Sequence, residues 1–306
     1  MNEDKKTVLD GQKQVDGEGD CVDSNQATPV FSACLPDCDV ILFQGGVRSG
    51  IYVTWKNVIR KQVASSHNSR VLVVIGTSGG DPHEAFRMMR LLQECYKVID
   101  VVILGWCYSA GTLFALGANT IYMAVGANLG PLDVQLRKED DLSRMSGECY
   151  RQALLDVNDI AKRMFNSHFV DLKSRSDILI STQTASAVAS ELTKGLLSPI
   201  TQQIEPGRLG EMMRSQGIGM SYGLRLMKRN YDKSRSERIT KQLTQGYPSH
   251  DTLIDSAEAL ALGLNVKTFN PASDFSGCFA GLEDDMYGRK CFGGPIIKVL
   301  NNDPIA

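Results

Sequence analysis

The chain has 306 residues, with 33 Lys plus Arg against 35 Asp plus Glu, a formal net charge of −2 and 42% hydrophobic residues. That is enough for one large α/β domain with extensions and its own core, and the near-balanced charge gives no reason to expect nucleic acid or an anionic membrane as a partner. No apolar run reaches the about 18 to 20 residues that a membrane span needs, and Met1 to Asp23 is polar and acidic rather than a signal peptide. The chain is therefore expected to be cytoplasmic, with no membrane span. Eight cysteines in a chain of this length without an export signal argue for reduced thiols, and Cys21, Cys34 and Cys38 make no recognised metal spacing.

In chain order, residues 1–38 have the composition of a disordered polar extension, rich in Asp, Glu, Lys, Gly, Ser and Gln. Asp39 to Phe43 starts the fold as a short strand, and Val53 to Val63 carries Trp55, Val58, Ile59 and Val63 at helical spacing. Arg70 to Ile75 is a continuous β-branched apolar run that enters Gly76-Thr77-Ser78-Gly79-Gly80-Asp81-Pro82. A helix then begins near Pro82, with Ala85, Met88, Met89, Leu92 and Cys95 on one face. The pattern repeats: Val101 to Leu104 runs into Gly105, Tyr108-Ser109-Ala110-Gly111 follows, and Thr112 to Ala118 reads as a buried helix. Ile121 to Ala124 is a further strand. This alternation predicts α/β architecture, repeated βαβ units around a mostly parallel sheet with helices about it.

Beyond it, Lys138 to about Met145 is charged and is expected to be a mobile loop. Cys149 to Leu172 and Thr182 to Leu192 read as helices. Pro199, Pro206, Gly207, Gly217 and Gly219 predict short helices in that part, and Ser221 to Leu243 one basic amphipathic helix with a solvated face. Leu253-Ile254 and Ala257 to Leu264 close the domain as a short strand and a glycine-capped helix. Residues 271–306 lack a period and read as a flexible tail that docks in part through Pro295 to Leu300.

Two places carry chemistry. Ser109 stands where a buried strand turns into a buried helix, so its hydroxyl faces the mouth of the sheet beside the free N–H groups of the first helical turn. Both a nucleophile and an N-cap serine fit that position. Gly79-Gly80 lets the backbone turn its N–H groups toward a cleft, as oxyanion donors do, although strand-to-helix turns use glycine for their own reasons. Cys107, two residues before Ser109, is expected to pack beneath the turn as a small hydrophobe.

Taken together, Gly79-Gly80-Asp81-Pro82, Ser109-Ala110-Gly111-Thr112, Leu116-Gly117-Ala118, Leu129-Gly130-Pro131-Leu132-Asp133 and Gly246-Tyr247-Pro248-Ser249-His250-Asp251 resemble the Clp protease proteolytic subunit and crotonase superfamily. Within it the chain is more similar to the serine dehydrogenase proteinase family, a relative of the Clp peptidases and of signal peptide peptidase A. The resemblance spans roughly residues 40 to 268. It implies the Clp/crotonase fold for residues 39–270, a serine peptidase acting on peptide or protein substrates, and a homo-oligomer. It requires no metal or nucleotide. No phosphate-binding loop is present, so any ATPase partner would be a separate chain.

A serine hydroxyl needs a base. The Clp peptidases place a histidine about 25 residues after the serine, but Gly130 to Gln135 contains none. The resemblance to the serine dehydrogenase proteinases implies instead Ser109, Asp133 and His250, with Asp133 orienting His250. Asp251 or Asp255 could take that orienting part. Imidazoles ordinarily titrate near pH 6.5, suited to general-base work. Lys162, 53 residues after Ser109, matches the serine–lysine arrangement of some signal peptide peptidase A enzymes. A lysine base, however, needs its pKa brought down from ~10.4 toward ~7 by burial, and Lys162 lies in a polar stretch. His83, beside the Gly-Gly turn, could line the cleft; His168 reads as a helix-surface residue and His67 as a loop residue. The oxyanion donors would be the N–H groups of Gly80 and Ala110, with Gly79 nearby. Two other classes remain open: a catalytically inactive scaffold of the same fold, and a crotonase-type acyl-CoA enzyme.

Overall fold

Strands β1 (Asp39–Gln44), β2 (Arg70–Thr77) and β3 (Val98–Cys107) form the middle of a sheet. Their side chains are buried on both faces, which is what uninterrupted Val/Ile/Leu runs demand when helices cover both sides of a parallel sheet. In this computed structural model, residues 37–132, 135–138, 141–175, 180–204, 206–270, 279 and 295–300 are described. Helices α1 (Ile51–Ser65), α2 (Pro82–Cys95) and α3 (Ala110–Ala115) link or follow these strands, and β4 (Thr120–Ala124) and β5 (Asn128–Leu129) come next. The chain continues through β6 (Gln135–Lys138), β7 (Asp141–Ser146), α4 (Gly147–Arg175), α5 (Thr182–Thr201), α6 (Pro206–Met227), α7 (Lys233–Gln245), α8 (Ser256–Leu262), β8 (Val266–Phe269) and β9 (Ile296–Val299).

The sheet order is β8-β4-β3-β2-β1-β9. All neighbours are parallel except β9, which runs antiparallel to β1, and β5 joins as a short parallel partner of the end of β3. The architecture is thus the α/β arrangement that the alternating pattern predicts. Trp55 of α1 anchors one face, edge-on to Phe43 at 6.0 Å and to Phe114 at 5.9 Å, with its indole N–H donating to the Met88 carbonyl. Fully burying one such side chain contributes about 1.5 to 3 kcal/mol.

Three expectations need correction. The charged stretch from Lys138 to Met145 is not a loop: β6 and β7 pair antiparallel. The breaks expected between Pro199 and Gly219 do not shorten the helices, since Pro199 sits in the last turn of α5 and α6 runs straight through Gly217 and Gly219. Gly223 lets α6 approach α7 closely: a Cβ there would lie 2.8 Å from Thr240 Cγ2. Ser221 to Leu243 is two helices, because Asp232 caps α7 by accepting the Arg235 N–H. Within the Pro295–Leu300 segment expected to dock, β9 adds an edge strand to β1. Residues 1–36 and most of 271–294 lie outside the described residues. No helix among the described residues is long and apolar enough to cross a membrane.

Candidate active site

The C-terminal ends of β2 and β3 lie side by side, Thr77 opposite Cys107, and both chains turn there. After β2, Gly79 and Gly80 adopt φ of 98° and 140°, values that L side chains rarely adopt. The turn is pinned to the loop after β1 by Val47, whose N–H donates to the Gly79 carbonyl and whose carbonyl accepts the Asp81 N–H. Asp81 then caps α2, accepting the His83 N–H.

After β3, Ser109 has φ 52° and ψ −111°, and no other non-glycine residue among those described has positive φ. This conformation costs roughly 1 to 3 kcal/mol, and surrounding structure holds it. The Ser109 side chain makes no capping bond to α3, so the N-cap reading does not describe it. Half-buried Ser109 faces the glycine turn, where a Cβ on Gly79 would lie 2.8 Å from Ser109 Cβ. Two threonines brace this pair of turns. Thr77 Oγ1 accepts the Gly79 N–H, and buried Thr112 Oγ1 accepts the Gly130 N–H and lies 2.9 and 2.7 Å from the carbonyls of Cys107 and Gly130, which share its one proton. Among the described residues the N–H groups of Gly80 and Ala110 have no acceptor. Cys107 packs beneath, its Sγ against Gly111, and burial pushes its thiol far above the usual range.

His250 reaches the same end of the sheet by another route. β5 pairs with the end of β3, and Leu129 and Ile254 exchange hydrogen bonds of 2.8 and 2.9 Å, which sets the segment after His250 beside β5, next to the end of β3 that leads to Ser109. The loop after β5 is fastened to α7 through the Leu132 N–H and the Leu243 carbonyl. Half-buried His250 has its Nδ1 shielded from solvent and without a hydrogen-bond partner. No hydrogen bond joins it to Ser109 among the described residues. Asp133 lies outside the described residues. Asp255 caps α8, accepting the Glu258 N–H, and Asp251 is exposed.

Lys162 is exposed on α4, 3.6 Å from Asp159, and lines a groove between α4 and α5. His67 is an exposed loop residue, and half-buried His168 keeps its Nε2 shielded without a partner. No group of three or more His, Cys, Asp or Glu side chains among the described residues could hold a metal ion.

In structure, the chain is similar to proteases. A ClpP1 variant from Listeria monocytogenes is 18% identical with a TM-score of 0.28, over 33% of this chain and 59% of that one. The 1510-N membrane protease specific for a stomatin homolog, from Pyrococcus horikoshii, is 22% identical with a TM-score of 0.27, over 30% of this chain and 48% of that one. The present chain therefore covers less than two thirds of either. The 1510-N membrane-bound stomatin-specific protease in complex with a substrate peptide is 16% identical with a TM-score of 0.33, over 81% of this chain and 97% of that one. No family model and no curated protein matches the sequence.

Sequence reasoning did not foresee the threonine braces, nor that His83 Nδ1 lies 2.9 Å from Tyr222 Oη on α6. Thr77 carried a faint signal, a hydroxyl ending an apolar strand just before a glycine turn. Thr112 and Tyr222 carried none, because their partners are set by tertiary packing.

Proposed function

We propose that the chain is a serine hydrolase acting on amide bonds of peptides or proteins. Ser109 Oγ attacks the scissile carbonyl. His250 takes the hydroxyl proton and returns it to the leaving amine, and water then releases the acyl group by the same steps in reverse. Asp133 orients His250. The Gly80 and Ala110 N–H groups, beside Gly79, hold the oxyanion, and a donor of this kind is typically worth about a hundred- to a thousandfold in rate. No metal or nucleotide takes part, and a homo-oligomer is the expected assembly.

The observation that carries this reading is the Ser109 backbone at φ 52° and ψ −111°. It is a strained serine whose side chain caps nothing, set against the Gly79-Gly80 turn, with the N–H groups of Gly80 and Ala110 to spare. The unpartnered His250 Nδ1 supports the second reading, an inactive scaffold of the same fold.

Fluorophosphonate labelling with intact-mass detection separates the two. The peptidase reading expects one adduct on the wild type, absent from Ser109→Ala and from His250→Ala. Labelling that survives His250→Ala moves the base to Lys162 or elsewhere. An unlabelled wild type supports the scaffold.

A further inference from the structure

The Gly79–Pro82 turn is flanked by two arginines, Arg48 and Arg225, that have no acidic partner among the described residues. On one side, the loop after β1 is bonded to the turn through Val47, next to exposed Arg48, and a Cβ on Gly46 would lie 3.8 Å from the Gly79 carbonyl oxygen and 4.0 Å from Arg48 Cγ. On the other side, α6 packs on α2 through a layered stack. The Arg225 guanidinium lies 4.4 Å from the Phe86 ring centroid, Phe86 stacks on Tyr222 at 4.2 Å, and Tyr222 meets His83 edge-on at 5.5 Å.

Tyr222 Oη holds His83 Nδ1 at 2.9 Å, so the imidazole is fixed by one nitrogen and its Nε2 is left for another molecule. Arg48, His83 and Arg225 are all exposed, and neither arginine has an acidic partner among the described residues. The acids nearby are engaged: Asp81 caps α2, and buried Glu84 accepts from the Tyr52 N–H and from Arg87. Stacking on an aromatic face fixes a guanidinium plane while leaving its N–H donors free for a carboxylate.

We infer that Arg48 and Arg225, with His83 beside them, form a rim whose two guanidiniums select peptides carrying an acidic side chain near the scissile bond. This rests on the peptidase reading for its meaning, since it names the substrate class of that site. A bound Glu or Asp replaces the missing partner of one or both arginines. The Tyr222-held imidazole offers a further polar nitrogen beside the Gly79–Pro82 turn. Each exposed charge pair contributes little alone, so the rim acts as a sum, about tenfold in affinity at low salt.

The test uses binding, so that it is independent of turnover. The Ser109→Ala full-length chain is titrated with two fluorescein-labelled, amide-ended decapeptides of Ala, Leu and Gly, one carrying three Glu and the other three Gln at the same positions. The expected result is about tenfold tighter binding of the Glu peptide at low salt, falling as salt screens the charges. Arg48→Gln with Arg225→Gln abolishes that preference, and Arg48→Glu with Arg225→Glu transfers it to the matching Lys peptide. Equal affinity for the Glu and Gln peptides, no binding of either, or a preference that survives the double substitution overturns the inference. Fluorophosphonate labelling of the wild type reports separately on the peptidase reading, so the two can fail independently.

Discussion

The two ends of the parallel sheet treat polar groups in opposite ways. At the N-terminal end, the fully buried Asp39 carboxylate accepts from Gln62, Ser66, Asn68 and Tyr96, tying β1 to the end of α1 and to the residue after α2. Close by, Asp100 Oδ2 takes two bonds from Arg70, and only its Oδ1 is left over. At the C-terminal end, by contrast, Ser109 Oγ and the Gly80 and Ala110 N–H groups have no partner among the described residues, and Ser109 is strained besides. A satisfied buried group contributes to stability, whereas an unsatisfied one next to a cleft is available to a ligand. In open α/β sheets ligands sit outside the carboxyl ends of the strands, and here the same sheet satisfies its polar groups at one end and leaves several open at the other.

Glycine substitutions should break this contrast most sharply. At Gly80 an alanine Cβ would lie 2.1 Å from the Val47 carbonyl oxygen at φ 140°, so backbone must move. Gly80→Ala is expected to cost about 3 to 5 kcal/mol, combining strain and overpacking. Gly126→Ala has a φ of 86° but nothing within 4 Å, and should cost only about 1 kcal/mol. Urea-unfolding midpoints at unchanged slope measure the difference, and equal losses would refute the claim that the Val47 clamp shapes the turn. Next in size, Asp39→Ala strands four donors and should cost about 3 kcal/mol. Well below its melting temperature this variant should keep the wild-type pattern of fluorophosphonate reactivity, whereas altered reactivity would mean that the two ends are coupled.

The sheet was legible because its strands are buried on both faces, so apolar runs such as Arg70 to Ile75 announce themselves without regard to partners. The Ser109 and Gly79-Gly80 turns were legible too, since glycine and small residues at the ends of such runs serve a backbone need that is local. What was hidden depends on distant pairing. Gly219 looks like a breaker, but it faces Leu132 and Thr244 from within one continuous helix, as Gly223 faces Thr240. The boundary between α6 and α7 rests on a single Asp232 cap inside an amphipathic run. β9 is too short and ordinary to declare that β1 would accept it at the edge. The His83–Tyr222 contact joins residues 139 positions apart, which no local pattern encodes.

The smallest expected effect bears most directly on Ser109. If the strained backbone is what the fold maintains there, Ser109→Gly removes the Cβ that makes φ 52° costly and should raise stability by about 1 kcal/mol. Ser109→Ala keeps that Cβ and should leave stability within about 0.5 kcal/mol of wild type. An N-cap serine behaves in the opposite sense: alanine would cost about 1 kcal/mol and glycine a few tenths. Thermal and urea unfolding of the two variants therefore distinguish a serine held against its own preference from one that completes a helix, without any substrate. A stabilised Ser109→Gly protein that also loses fluorophosphonate reactivity would show stability being given up at the one position where the C-terminal end of the sheet needs a hydroxyl.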